Sequence, residues 1–142
     1  MKSHSTTKKE LKIGWHHIDA DGKVLGRIST DIVEKLMGKD KVNFVGYINC
    51  GDKVVVTNAK KVVLTGAKED KKIYRTHTGR VGSLKELTAR QVRAKNAPRM
   101  IFTAVKGMLP KNRLRKVRLA NLYIYGGEEN PHQNQSNLKK DA

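Results

Sequence analysis

The sequence predicts an α/β fold: one domain with a small, mostly parallel central sheet and basic extensions. Three observations carry this. The chain has 142 residues, the length of a single domain, and its 37% hydrophobic share can fill one core. Leu25, Ile28, Ile32 and Leu36 fall at helical spacing, and two continuous β-branched runs follow, Val54-Val55-Val56-Thr57 and Val62-Val63-Leu64-Thr65. Continuous rather than alternating apolar strands are the pattern of a parallel sheet buried on both faces. Third, thirty Lys and Arg against thirteen Asp and Glu leave a net charge of +17. Such a field attracts polyanions and opposes self-association, so no homo-oligomer is expected.

The elements follow in order. Residues 1–13 read as a basic tail, 14–127 as the domain and 128–142 as a polar tail. Residues 15–20 form an apolar-bearing strand, and Asp21-Gly22 marks a turn. The Leu25 stripe makes a helix, with Asp31 and Lys35 as an i,i+4 pair outside and Gly38 where a C-terminal cap belongs. Gly51-Asp52 opens the first β-branched strand, and residues 62–65 make a second. Thr65-Gly66 and the charged residues 68–72 read as an exposed loop, with a further strand at 73–76. Pro98 suits the first turn of a helix carrying Ile101, Val105 and Met108 on one side, with Phe102 beside them. Gly107 and Pro110 break it, and another helix runs from Pro110 to Ala120. Leu122-Tyr123-Ile124-Tyr125 is the last strand, and Gly126-Gly127 ends the fold. The patterns leave strand order open.

Several function classes are disfavoured. Residues 1–13 contain no apolar core of a secretory signal, and no apolar run approaches a membrane span. The single cysteine, Cys50, allows no internal disulfide, which fits a reducing, cytoplasmic compartment. Cys50 has no histidine as a sequence neighbour, and a small buried cysteine is commoner than a nucleophile. His16 and His17 would point to opposite faces of a strand, which is poor metal-ligand spacing. Neither G-x-x-x-x-G-K-[ST] nor G-x-G-x-x-G occurs, so the loops that cradle nucleotide phosphates are missing. No catalytic residue, metal or cofactor is expected.

Nucleic acid is the favoured partner. Residues 85–118 hold eleven Lys or Arg and one acid, Glu86. Lys111, Arg115 and Arg118 stand at i, i+4 and i+7, so on a helix they share one face that can follow a phosphate backbone. Leu114 and Val117 then turn toward the core. A solvated helix face is the plainer use of such charges. The same helix has too little apolar surface to insert into a membrane. Gly79-Arg80-Val81-Gly82-Ser83 is the second feature. Its glycines permit close backbone approach, Arg80 can donate bidentately to phosphate, and Tyr74 and His77 can stack on unpaired bases. Equally, it is an ordinary turn before a helix capped by Ser83. Aromatic residues are only 5% of the chain, which argues against a broad base-stacking platform.

Certain motifs then acquire a family resemblance. Val105-Lys106-Gly107-Met108-Leu109-Pro110, a basic helix and Leu122-Tyr123-Ile124-Tyr125-Gly126-Gly127 occur in that order. So do Trp15, Ile18-Asp19-Ala20, Gly22-Lys23-Val24-Leu25-Gly26-Arg27, Gly51-Asp52, Asn58-Ala59, Thr65-Gly66, His77-Thr78-Gly79 and Pro131-His132. Over residues 14–132 the chain resembles the L-thirteen family of bacterial large-subunit ribosomal proteins. The resemblance implies a three-layer α/β/α domain, a structural role in the ribosome and early entry into subunit assembly. It implies 23S-type ribosomal RNA and neighbouring large-subunit proteins as partners, without enzymatic activity. The RNA-facing residues it implies are Lys106, Lys111, Arg113, Arg115, Lys116 and Arg118, with His77, Thr78, Gly79 and Arg80. Arg27 and Tyr74 complete the expected RNA-binding set. Lys111-Asn112-Arg113 departs from a more glycine-rich stretch in many relatives. The alternative is a free regulator acting on messenger RNA outside the ribosome.

Overall fold

Strands β1 (Trp15–Asp19) and β2 (Lys53–Thr57) run parallel, with Ile18 opposite Val56. The computed structural model describes residues 5–135 and 138–141. Residues 1–4, 136–137 and 142 of the two expected tails lie outside the described residues. Strand β5 (Leu122–Ile124) pairs with the other edge of β2, and β6 (Leu138–Asp141) lies along β1. The order is β5-β2-β1-β6, with every pairing parallel. The sheet therefore continues beyond Gly126-Gly127, where the sequence pattern placed its end.

Helix α1 (Leu25–Met37) buries Leu25, Ile28, Ile32 and Leu36, the expected stripe. Gly38 closes it at φ 72°, its N–H donating to the carbonyls of Glu34 and Lys35. Gly51 packs where a Cβ would overlap the Leu36 carbonyl oxygen, so only glycine fits. Helix α4 (Pro98–Met108) starts on Pro98 and adds Ile101 and Val105 to the same core as Ile18, Val54 and Val56. Each such buried side chain contributes roughly 1.5–3 kcal/mol. Met108 and Phe102 stay exposed.

The second β-branched run is not a strand. Asn58 adopts a left-handed conformation (φ 58°, ψ 33°) and turns the chain into a single 3-10 turn at Ala59–Lys61. The run thereby leaves the sheet. Only a single bridge remains, Val24 to Val63, flanked by Leu25 N–H to Val63 O (3.0 Å) and Val63 N–H to Lys23 O (2.9 Å). The expected loop at 68–72 contains the short helix α2 (Lys68–Lys71). Strand β3 (Ile73–Thr76) forms, but it pairs antiparallel with β4 (Lys85–Thr88) in a separate hairpin. Thr88, not Ser83, caps the following helix α3 (Ala89–Asn96), through a box with Gln91. Ala89, Val92 and Met100 form a small second core beneath this hairpin, with Leu87 and Tyr74 against it.

Helix α5 (Leu114–Ala120) leads into β5 (Leu122–Ile124). From β5 the chain returns across β2 and β1 to reach β6. This reversal of direction puts the crossover on the face opposite α1 and α4. There His132 lies 5.0 Å from the Trp15 ring and 4.5 Å from the Tyr123 ring, with Tyr125 at 6.2 Å. Trp15 and Tyr123 stack at 5.7 Å. The α/β class and the parallel sheet stand. The outer layer on this face is the turn-rich crossover, with turns at 131–134, and its rings.

Candidate nucleic-acid interface

The hairpin tip closes on itself. Gly79 N–H donates to His77 Nδ1 at 3.0 Å, Thr78 N–H to Ser83 Oγ at 3.3 Å, and Ser83 Oγ–H to the Arg80 carbonyl at 2.7 Å. Gly79 (φ 87°) and Gly82 (φ 76°) supply left-handed turns that a side chain would strain. His77, Thr78, Arg80 and Val81 are all exposed on this tip. Tyr74 does not join them as a free ring. Its register opposite Leu87 turns it toward the second core, where it is half-buried with Lys72 Nζ 5.4 Å from the ring centroid. Burial, helped by nearby Glu69, raises its phenol pKa, and its hydroxyl has no hydrogen-bond partner.

The predicted stripe of Lys111, Arg115 and Arg118 does not form. Helix α5 begins at Leu114, so Lys111 stands in the preceding turn and Arg113 is the N-cap. Arg118 is 1% exposed, and its Nε and Nη1 find no hydrogen-bond partner. Burial lowers its pKa. Helix α5 packs against α1 and β5 with Arg118 inward and leaves Val117, expected in the core, 50% exposed. Arg115 is half-buried and donates to the Lys106 carbonyl, which ties the end of α4 to α5. Asn112 Oδ1 accepts from the Arg115 N–H at 3.2 Å, so the Lys111-Asn112-Arg113 turn is held by its asparagine. Lys106, Lys111, Arg113 and Lys116 remain exposed around this α4–α5 junction. Arg27 is exposed on α1, which packs against α4. Helix α3 packs between the hairpin and α4.

Charge density alone could not sort these cations. Arg93 lies in the same basic stretch, yet it donates to the carbonyls of Lys60 (2.8 Å) and Val62 (2.6 Å) and pairs with Glu69. Its work is to hold the turn after β2. Lys95 and Arg99 were not singled out in sequence and are exposed near the α3–α4 junction. Their signal was membership of the cationic stretch, without a motif.

Other polar groups serve the fold. Asp52 accepts from Gly14 N–H at 2.7 Å, contacts His16 Nε2 at 2.9 Å and pairs with Lys41. Burial disfavours its carboxylate, but these partners outweigh that and hold its pKa at about 2. Cys50 is buried, with Sγ 3.7–3.8 Å from the carbonyl oxygens of Asn43, Val45 and Ile48. Among the described residues, no group of three His, Cys, Asp or Glu is placed to hold a metal ion, and no helix is long and apolar enough to cross a membrane.

A sequence profile for ribosomal protein L13 matches residues 13–131. The large ribosomal subunit protein uL13 of Thermotoga petrophila is 50% identical over 135 residues, which span 95% of this chain and 91% of that protein. Its counterparts in Dictyoglomus thermophilum and Methylococcus capsulatus are 47% and 44% identical over 135 residues, spanning 95% of both chains in each case. With the profile matching nearly the whole domain, and such identity over nearly the whole length of both chains, this chain belongs to the ribosomal protein L13 family.

Proposed function

We propose that this chain is a structural constituent of the bacterial large ribosomal subunit that binds ribosomal RNA through Lys and Arg contacts to phosphate and enters early in assembly, in the cytoplasm. The observation that carries the reading is family membership over residues 13–131. The net charge of +17 supports the phosphate chemistry. The RNA-facing set is Arg27, Lys106, Lys111, Arg113 and Lys116, together with the tip residues His77, Thr78, Gly79 and Arg80, all exposed. Arg115 positions the Lys106 turn through its carbonyl bond. Neighbouring large-subunit proteins are the expected protein partners.

Sedimentation tests this. The chain should be stoichiometric with large subunits after a moderate salt wash. A substoichiometric amount in that fraction, with the bulk on messenger RNA, would refute the structural role and favour a free regulator.

A further inference from the structure

The strand order β5-β2-β1-β6 changes direction between β1 and β6, where the chain has returned from β5 across the sheet. In open α/β sheets, ligands bind at such a switch point, outside the carboxyl ends of the strands. Beside that point, at the carboxyl ends of β1 and β2 and beneath the crossover, lies a cavity of 340 Å³ whose lining, among the described residues, is all polar. That volume falls in the range of ligand pockets, about 300–1,000 Å³.

The lining is unusual for a chain of charge +17, because among the described residues it contains no Lys or Arg. Among the described residues its charged groups are two carboxylates, Asp19 and Glu128. Asp19 is held in place, since its Oδ1 accepts from Asn58 Nδ2 at 2.8 Å and from Asp21 N–H at 3.1 Å. Those bonds lower its pKa, so it is ionised at neutral pH. Asn58 is held left-handed, and Thr57 Oγ1 meets His17 Nε2 at 3.1 Å beside it. Asn130 and Gln133 add amides that donate as well as accept.

A fitting ligand has adjacent donors for a carboxylate and acceptors for amides. Guanine has both: N1–H and the N2 amino group side by side, with O6 and N7 as acceptors. Uracil offers one ring N–H, while adenine and cytosine offer one amino group. A guanidinium has donors only. Unpaired RNA bases are commonly read on this Watson–Crick edge. We propose that the cavity at the carboxyl ends of β1 and β2 takes one unpaired guanosine of the bound RNA, its N1–H and N2 amino group donating to Asp19 and Glu128. The assignment of RNA as the source rests on the function proposed above.

The test titrates the full-length, isotope-labelled chain with GMP, IMP and AMP and follows the side-chain amides of Asn58, Asn130 and Gln133 by NMR. The three nucleotides share one phosphate, so attraction to the net charge cancels. GMP should bind roughly tenfold more tightly than IMP, which lacks the N2 amino group, and Glu128→Gln should remove most of that advantage. Glu128 is exposed, so this variant keeps the fold. Equal affinities for the three nucleotides would overturn the site. So would methylguanidinium shifting the same amides at lower concentration than GMP, which would assign the cavity to an arginine of a neighbouring protein. Kethoxal, which attacks N1 and N2 of unpaired guanine, identifies the source. In the chain's complex with ribosomal RNA, one protected guanine should become reactive with Glu128→Gln. GMP selectivity without any such guanine would overturn the RNA source alone. Failure of the RNA to bind at all, read by filter binding, would overturn the proposed function instead.

Discussion

Replacing Lys111, Arg113 and Lys116 together by Gln removes three positive charges from the α4–α5 junction. All three side chains are exposed, and Gln is a good helix former. Surface changes of this kind cost at most about 0.5 kcal/mol each, so melting should be nearly unchanged. The effect on RNA binding should be large. A chain that neutralises about eight phosphates has a log affinity versus log salt slope of roughly −5.6 to −7, with 0.7 to 0.9 per contact. Losing three contacts makes the slope shallower by about 2 to 3 units. Filter binding of ribosomal RNA across a salt series measures it. The control is Lys8, Lys9 and Lys12 to Gln, which removes the same charge from exposed positions near the N-terminus. Equal slopes and equal losses from both triples would reduce recognition to unspecific attraction and refute the junction as an interface. A slope change below about one unit for the first triple would do the same.

Four further outcomes follow from the geometry. Arg118→Met should leave the salt slope unchanged and the melting temperature equal or higher, because a buried cation with unmatched N–H groups is replaced by an apolar side chain; a drop of several degrees would show that the guanidinium is bonded. The Asp52 carboxylate has a folded pKa of about 2 against 3.8 otherwise, so its stabilisation is full above pH ~4 and is lost as pH falls toward 2, roughly 2 kcal/mol in all. Melting followed from pH 5 to 2 should show this loss, and Asp52→Asn should flatten it; an unchanged profile in the variant would assign acid sensitivity elsewhere. Gly51→Ala should cost more than about 3 kcal/mol, since its Cβ would overlap the Leu36 carbonyl, and a wild-type melting curve would contradict that packing. Cys50→Ser should retain RNA binding and subunit entry, as the hydroxyl can donate to one of the three carbonyls around Sγ; a folded variant excluded from subunits would give Cys50 a functional role.

The parts of the fold legible in the sequence were those where one local rule decided the outcome. The α1 stripe, its Gly38 cap, the β2 valines and Pro98 at the start of α4 each satisfy such a rule, and each is found in place. The departures arise where tertiary geometry chose among locally equal options. Residues 62–65 have every property of a strand, but the left-handed Asn58 steers them out of the sheet. No rule of propensity marks Asn58 in advance, because asparagine tolerates that conformation without demanding it. The polar stretch after Gly127 offered no apolar period, yet β6 needs only backbone hydrogen bonds along β1 to extend the sheet.

The candidate interface divides in the same way. Charge density marked one basic stretch, but within it burial assigns each cation its task. Arg93 and Arg115 satisfy backbone carbonyls, Arg118 is enclosed, and Lys106, Lys111, Arg113 and Lys116 face solvent. The packing of α5 against α1 and β5 decides this. Lys111 stands before the helix and so joins no stripe with Arg115 and Arg118, and α5 packs with Arg118 inward and Val117 outward. Arg115 and Arg118 are three residues apart, about 60° around the helix, so the side that α5 turns to the fold takes up both and leaves Lys116 and Val117 outside.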